Sequence, residues 1–334
     1  MLWEGKTLLK RQKTEHKTNK KDIDMASIIK KYGLVMAFVV IFTILSLTSG
    51  TFFTTTNLMN VVRQISINGI IALGMTFVIL TGGIDLSVGS LVAVAGVIAG
   101  SIINVNPNLA WPAFFAGVMA CGVFGFITGA MIVKFDIPPF VATLAMMTIA
   151  RGFALVYSNG RPYVLTSDSF AVFGQGYVGP IPVPVVILIL TSIVMSVLLM
   201  YTKFGRYVYA VGGNEKAARA SGVSIGKTKL LVYTISGILT GLAGVILASR
   251  INSGQPAIGT SYELDAIAAV VIGATSLVGG VGSIMGTMLG FLIIGIINNG
   301  LNLLNVSSYY QLIVKGVIIA GAVILDQKTK RASK

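Results

Sequence analysis

The chain has 334 residues, of which 54% are hydrophobic and only 11% are charged. Ordinary soluble domains carry about 25% charged residues, and the mean hydropathy here is +0.86. This composition excludes a soluble globular enzyme and a disordered chain, and it indicates a polytopic membrane protein. The net charge of +14 would suggest nucleic-acid binding only if it formed a basic face on a folded domain.

The positive charge lies in three short segments, residues 1–31, 203–229 and 328–334, and the rest of the chain is balanced. Lys and Arg close to membrane spans mark the cytoplasmic side. None of the three segments is long enough to fold around a core of its own. The charge therefore predicts orientation in the membrane and argues against a nucleic-acid partner.

The apolar runs predict about ten transmembrane helices, because a spanning helix needs roughly 20 mostly apolar residues. The predicted spans are 34–53, 65–82, 86–104, 111–133, 139–158, 182–201, 229–249, 263–280, 283–304 and 310–325. With the N-terminus inside, ten crossings place both tails and the loop 203–228 in the cytoplasm. The expected organisation is a basic tail 1–31, a transmembrane domain 32–326 and a basic tail 327–334.

Glycines interrupt two of these apolar runs, at Gly82-Gly83 and at Gly279-Gly280. Broken helices in transporters often lie near the transport pathway. Other glycines repeat every four residues, as Gly125 with Gly129 and Gly237 with Gly241 do. Small residues at this spacing let helices pack closely in lipid.

A few polar residues fall within or beside the predicted spans. Asp85 and the following Ser87 could cap the third span or face a pathway beside the glycine break. Arg151 could reach the outer interface, make structural hydrogen bonds or line the pathway. Asn298 and Asn302, with Asn299 adjacent and Asn305 three residues further on, form an amide stripe. The stripe would suit either interhelical hydrogen bonds or the lining of a wet cavity.

Charged residues near the outer ends of the predicted spans have two interpretations. Glu263 and Asp265 would be favourable at the start of span eight, against the helix dipole. Alternatively, they could help to dock a partner on the outer side, together with Arg63, Arg161 and Arg250. Cys121 is the one cysteine and is expected to be a small core residue.

The cytoplasmic loop contains a predicted helix of about two turns. Asn214 is a favourable N-cap, Glu215 suits the first turn, and Gly222 can end the helix. Such a helix could sit in a groove of a partner protein, or it could be an ordinary connector.

Several segments carry a resemblance to a known family. They are GGIDLSVGS from Gly82, TIARG from Thr148, GGNEKAARASGV from Gly212, and NNGLNLL from Asn298 through Tyr309-Tyr310-Gln311. From about Asn57 to Asp326 the chain resembles the permease subunit of bacterial ABC-type sugar importers, of the ribose, xylose and autoinducer-2 permease family. The likeness is greatest to ribose permeases, and it does not cover the basic N-terminal tail.

The resemblance implies an all-α, type II-like permease of the bacterial inner membrane that imports a sugar, ribose first. Two copies would form the pathway, partner ATPase subunits would bind ATP and Mg, and an extracytoplasmic sugar-binding protein would deliver substrate. This chain would catalyse no reaction and hold no cofactor or metal. The implied coupling helix, which docks on the ATPase, contains Asn214, Glu215, Ala217, Ala218, Arg219 and Gly222. The residues reasoned above to be pathway candidates for such a permease are Asp85, Ser87, Arg151, Asn298, Asn299 and Asn302.

Two other classes compete with this interpretation. An ion-coupled secondary transporter would favour paired intramembrane carboxylates, whereas Asp85 stands alone between residues 25 and 135. A non-transporting scaffold would not need glycine breaks or an amide stripe.

Overall fold

The computed structural model describes residues 33–332, without the side chains of residue 322 and of residues 325–332. The predicted tail 1–31 lies outside the described residues. Within this range the protein is helical, with four two-residue strands. In chain order the elements are α1 Gly33–Thr48, α2 Thr55–Leu80, α3 Val88–Val105, α4 Ala110–Lys134, α5 Pro139–Tyr157, β1 Tyr163–Val164, α6 Asp168–Gln175, β2 Tyr177–Val178, β3 Ile181–Pro182, α7 Val183–Tyr201, α8 Lys203–Gly213, α9 Glu215–Ala220, α10 Ile225–Ile251, β4 Ser253–Gly254, α11 Tyr262–Ile272, α12 Ile284–Leu303 and α13 Ser308–Ala332.

Seven helices in the described range are long and apolar enough to cross a membrane: α2, α3, α4, α5, α7, α10 and α12. The shorter α1, the 11-residue α11 and the more polar α13 occupy the other three predicted spans. The predicted all-α polytopic fold is confirmed, and ten is an approximate count of its crossings. The second span begins ten residues earlier than predicted, because the Thr54 hydroxyl accepts a hydrogen bond from the Asn57 N–H (3.3 Å) and starts α2 there.

The core lies around α2, α3 and α10, which are the most deeply buried of the long helices. Glycines let α4 pack directly on α10. A Cβ on Gly125 would meet the Tyr233 carbonyl, and a Cβ on Gly237 would meet the Cys121 carbonyl. The predicted close packing through small residues is confirmed at this pair, and Cys121 is buried as expected.

The chain breaks at both predicted glycine pairs. After α2, Gly82 has φ +76° and residues 83–87 are not helical. After α11, Gly279 and Gly280 have φ +93° and +74°. Because the helix already ends at Ile272, the prediction of a helix across 263–280 is wrong for its second half.

Residues 252–261 bring the chain back into the bundle before α11 begins. Gly254 packs against Gly96, halfway along α3, and Gly259 packs against the Gly89 carbonyl near the α3 N-terminus. Seven residues of helix correspond to about 10 Å along the α3 axis. The eighth crossing is therefore a non-helical descending segment, mostly turns, followed by a half-helix. Non-helical backbone is tolerated at membrane depth when protein surrounds it.

The predicted outer loop 159–181 is folded. Its strand β1 pairs antiparallel with β4 at the start of the descending segment, and β2 pairs with β3. The Ser249 hydroxyl donates to the Phe170 carbonyl (2.6 Å) and accepts from the Gly174 N–H (2.8 Å). These bonds hold α6 on the end of α10, so the segment is a fixed cap on this side of the bundle.

Candidate functional site

The loop 203–228 forms two helices, of which the sequence predicts only the second. Asn214 starts α9, because its side-chain oxygen accepts from the Ala217 N–H (3.0 Å). Gly222 follows the helix with φ +80°, a conformation that favours glycine. The predicted short helix is confirmed, whereas α8, directly before it, lies in a segment predicted to be loop.

One side of α9 is packed and the other is free. Ala218 is buried against Val211 and Ile225. Glu215 binds Lys229 Nζ (2.7 Å) and lies 3.6 Å from Arg219. The other four residues of the predicted docking set are exposed: Asn214, Ala217, Arg219 and Gly222. The helix thus has a fixed base and a free small-residue face.

The end of α8 meets both chain breaks at one place, the glycine junction (Gly82, Gly212, Gly279 and Gly280). The Gly280 N–H donates to the Leu80 carbonyl (2.9 Å). A Cβ on Gly212 would meet that same carbonyl and would lie 2.6 Å from the Gly280 nitrogen.

Tyr209 strengthens this contact from α8. Its hydroxyl donates to the Gly282 carbonyl (2.8 Å). Helix α8, which directly precedes α9, is therefore in contact with both chain breaks, the one after α2 and the one after α11.

Asp85 is tied into the first break. One carboxylate oxygen accepts from the Ser87 N–H (3.0 Å) and hydroxyl (2.6 Å), and the other accepts from the Ser236 hydroxyl of α10 (2.9 Å). Both Asp85 and Ser87 are buried. This geometry holds the entry to α3 against α10, as expected for the capping alternative.

Arg151 binds the descending segment. Its Nη1 donates to the Pro256 and Ile258 carbonyls (2.7 and 2.8 Å), and its Nη2 lies 3.5 Å from the Gly89 carbonyl. The Pro256 and Ile258 carbonyls lie outside helices and strands, and the guanidinium supplies their hydrogen-bond donor. This is the structural alternative for Arg151, and it leaves the side chain half-buried.

A cavity of ≈ 380 Å³ lies beside Arg151, between α3, α5 and the start of α11. Its lining residues are Ser90, Met147, Thr148, Arg151, Thr260 and Glu263. Three hydroxyls, a guanidinium and a carboxylate are present among its lining side chains, within a surface that is largely apolar. The sequence singles out Arg151 and Glu263 but does not place the two residues in one cavity.

The amide stripe joins helices. Asn299 and Asn57 exchange reciprocal side-chain bonds (2.9 and 3.1 Å) between α12 and α2. Asn302 accepts from Gln311 of α13 (2.8 Å). Asn305 lies beyond the end of α12 with φ +54°, so the predicted helical stripe ends before it.

A buried ion pair is not predicted by the sequence. Lys315 Nζ of α13 lies 2.8 and 3.0 Å from the two carboxylate oxygens of Asp265 on α11. Asn298 of α12 lies against the same carboxylate. Asp265 is thus inside the bundle, not on an outer docking surface.

The arginines suggested for docking differ in their surroundings. Arg63 donates to the Gln175 carbonyl (3.3 Å) and stacks over the Tyr177 ring (4.6 Å). Arg250 is half-buried next to Arg63 and Tyr262. Arg161 is exposed.

Among residues 33–332, no group of three or more His, Cys, Asp or Glu side chains is placed to hold a metal ion.

A bundle of apolar helices with interrupted crossings, a cavity between its helices and an exposed short helix in a loop is typical of the permease class of membrane proteins. Residues 57–323 match the family described as "Branched-chain amino acid transport system / permease component", and the chain belongs to this family.

Similar proteins extend the match over almost the full chain. The chain is 49% identical to the ribose import permease protein of Bacillus subtilis over 321 residues, covering 95% of this chain and 99% of that protein. It is 48% identical to the ribose import permease protein of Escherichia coli K12, covering 88% and 92% of the two chains. It is also 38% identical to an L-arabinose ABC transporter permease protein of Azospirillum brasilense, covering 90% and 88%. No solved structure matches the chain.

Proposed function

We propose that the chain is the permease subunit of an ATP-driven ABC importer that moves a sugar, ribose first, into the cytoplasm. The observation that carries this proposal is the 49% identity to a ribose import permease over nearly the whole of both chains. The more distant similarity to an L-arabinose permease makes arabinose the second candidate substrate. The family is one of transporter subunits, not of enzymes.

The proposed energy source is a separate ATPase that binds ATP and Mg. We assign its docking to α9, where Ala217, Arg219 and Gly222 are exposed. Asn214, Glu215 and Ala218 would hold the helix in the docking position through the cap, the ion pair and the packing described above. This chain would need no cofactor of its own.

A second copy of the chain and an extracytoplasmic sugar-binding protein complete the proposed transporter. Arg151 is the one proposed pathway residue that lines the cavity, where it binds the descending segment. The other proposed pathway residues hold neighbouring helices together: Asp85, Ser87, Asn298, Asn299 and Asn302. Exposed Arg161 and the Arg63–Arg250 cluster are the proposed contacts of the binding protein. The domain 32–326 would span the inner membrane, with both tails cytoplasmic.

The ion-coupled alternative is less well supported by the side-chain contacts. Asp265 is paired with Lys315, and Asp85 is bonded by two serines. Neither of these two carboxylates is a free proton or cation site, and Glu263 lies in the same cavity as the Arg151 guanidinium.

Replacement of the ribose permease in a ribose-importing bacterium tests the proposed function. Cells that lack their own permease but keep the ATPase and binding protein should regain growth on ribose when this chain is expressed. The same replacement can be made in a strain that lacks its arabinose permease. If the chain restored growth on L-arabinose but not on ribose, the proposed substrate would be L-arabinose. Growth on neither sugar, with the protein present in the membrane, would contradict the proposal.

A further inference from the structure

The cavity beside Arg151 lies at an intermediate depth of the bundle. Arg151 is twelve residues from the start of α5 and six from its end, which corresponds to about 18 and 9 Å along the helix axis. The opposite wall is formed where the non-helical descending segment turns into α11, at Thr260 and Glu263. Substrate sites of transporters lie in such positions, where a discontinuous crossing begins its half-helix.

The cavity walls are suited to a neutral, hydroxyl-rich solute. The Thr148 hydroxyl donates to the Ala145 carbonyl (2.7 Å), and the Thr260 hydroxyl is 3.3 Å from the Ala257 carbonyl. Each hydroxyl keeps lone pairs that can accept from a sugar. Glu263 adds a carboxylate, whose oxygens can accept from sugar hydroxyls. Met147 is the one apolar side chain in the lining.

The open side of the cavity does not suit a lipid environment, because ionisable side chains there would cost much free energy in the hydrocarbon. Thr148 and Thr260 are exposed there, while Arg151 and Glu263 are half-buried. Ionisable side chains at membrane depth face a polar interior or a water-filled space. A water-filled pathway between two copies of the chain provides such a space.

The geometry points to this cavity as a sugar-contact site in the pathway, with Thr148, Thr260 and Glu263 contacting the hydroxyls of a pentose. Arg151 acts as a positioning residue, because its Nη1 donates to the carbonyls of the descending segment and so fixes Thr260 and Glu263. This inference rests on the proposed function. The volume, ≈ 380 Å³, falls within the range of small-molecule sites, about 300–1,000 Å³.

Removal of the two threonine hydroxyls tests the contact in sealed vesicles that hold the chain with its ATPase and binding protein. Thr148→Val and Thr260→Val should each lower ribose uptake roughly fivefold, the effect of losing one hydrogen bond of about 1 kcal/mol. ATP hydrolysis stimulated by the binding protein should stay unchanged. The matched control is Thr143→Val, a buried threonine of the same helix whose hydroxyl bonds the Pro139 carbonyl.

Cysteine labelling gives a second readout that does not depend on transport rate. Thr148→Cys should react with a charged, water-soluble thiol reagent, and excess ribose should slow that reaction. Ile149→Cys, the next residue on α5 and an exposed apolar position, should react slowly with or without ribose. Cys121 is buried and should add little background.

Different results would contradict the importer function and the sugar-contact site. Absence of ATP-dependent ribose uptake by the unmodified chain would overturn the proposed function itself. Normal uptake by both valine variants, or Thr148→Cys labelling that ribose does not change, would overturn the site while leaving the importer intact.

Discussion

The ion pair between Asp265 and Lys315 is a strong residue-level constraint on how α11 and α13 pack together. The two side chains are only 6% and 15% exposed. Burying one charge without its partner is far more costly than burying the pair. The pair therefore fixes the half-helix α11 relative to α13.

Lys315→Met should lower the stability of the purified protein by on the order of 3 kcal/mol, because it leaves the Asp265 carboxylate buried without a counter-charge. The double variant Asp265→Asn with Lys315→Met should recover most of that loss. The measurement is the Tm in detergent, with Lys216→Met on the exposed side of α9 as the control. Equal Tm values for the single and double variants would show that the pair is not coupled.

Sequence reasoning identifies residues whose partners are close in the chain. Asn214 and Gly222 can be assigned as helix start and stop, because capping acts over three or four residues. The partners of Asp265 and Asn299 are 50 and 242 residues away. No local pattern encodes such contacts, so these residues can be singled out but not paired.

At the scale of elements, the glycine junction is the contact between α8 and the two broken crossings. Backbone approaches backbone there, because a Cβ on Gly212 would fall on the Leu80 carbonyl. A Cβ on the adjacent Gly213 would meet only open space. The two glycines differ in environment although they are neighbours in sequence.

Gly212→Ala should therefore lower stability or transport, since overpacking a tight contact typically costs about 1–3 kcal/mol. Gly213→Ala should be close to neutral in both properties. Tm and ribose uptake, measured side by side, check the difference. Matching values for the two variants would argue against a tight junction.

The exposed face of α9 is the proposed docking surface for the ATPase. Glu215→Arg combined with Gly222→Trp should abolish transport, because the charge reversal disrupts the Lys229 ion pair and the indole blocks the exposed face. Sugar capture by the binding protein, measured separately, should remain intact. Unchanged transport in the double variant would remove the docking assignment from α9.

The predicted elements are most accurate where an apolar run and a helix coincide. The span predicted at 139–158 agrees closely with α5, Pro139–Tyr157. The span predicted at 263–280 is wrong in its second half, because an apolar run remains apolar after the backbone leaves the helix. The positive φ values of Ala274 and Gly279 depend on how the chain packs in the bundle, which composition does not reveal.

At the scale of the whole molecule, charge and hydropathy predict a polytopic bundle and the position of its cytoplasmic loop. They do not predict the folded outer segment, because β1 pairs with β4 from a segment about ninety residues away. The +14 net charge is concentrated in the two tails and the loop that contains α9, and it therefore predicts that these segments share one side of the membrane.

The most direct test of the central claim is sugar uptake by sealed vesicles that contain the purified chain, with and without its ATPase and binding protein. The account predicts that labelled ribose accumulates only with ATP and both partners present, and that ionophores do not reduce its uptake. Accumulation by the chain alone, driven by a proton or sodium gradient, would contradict it.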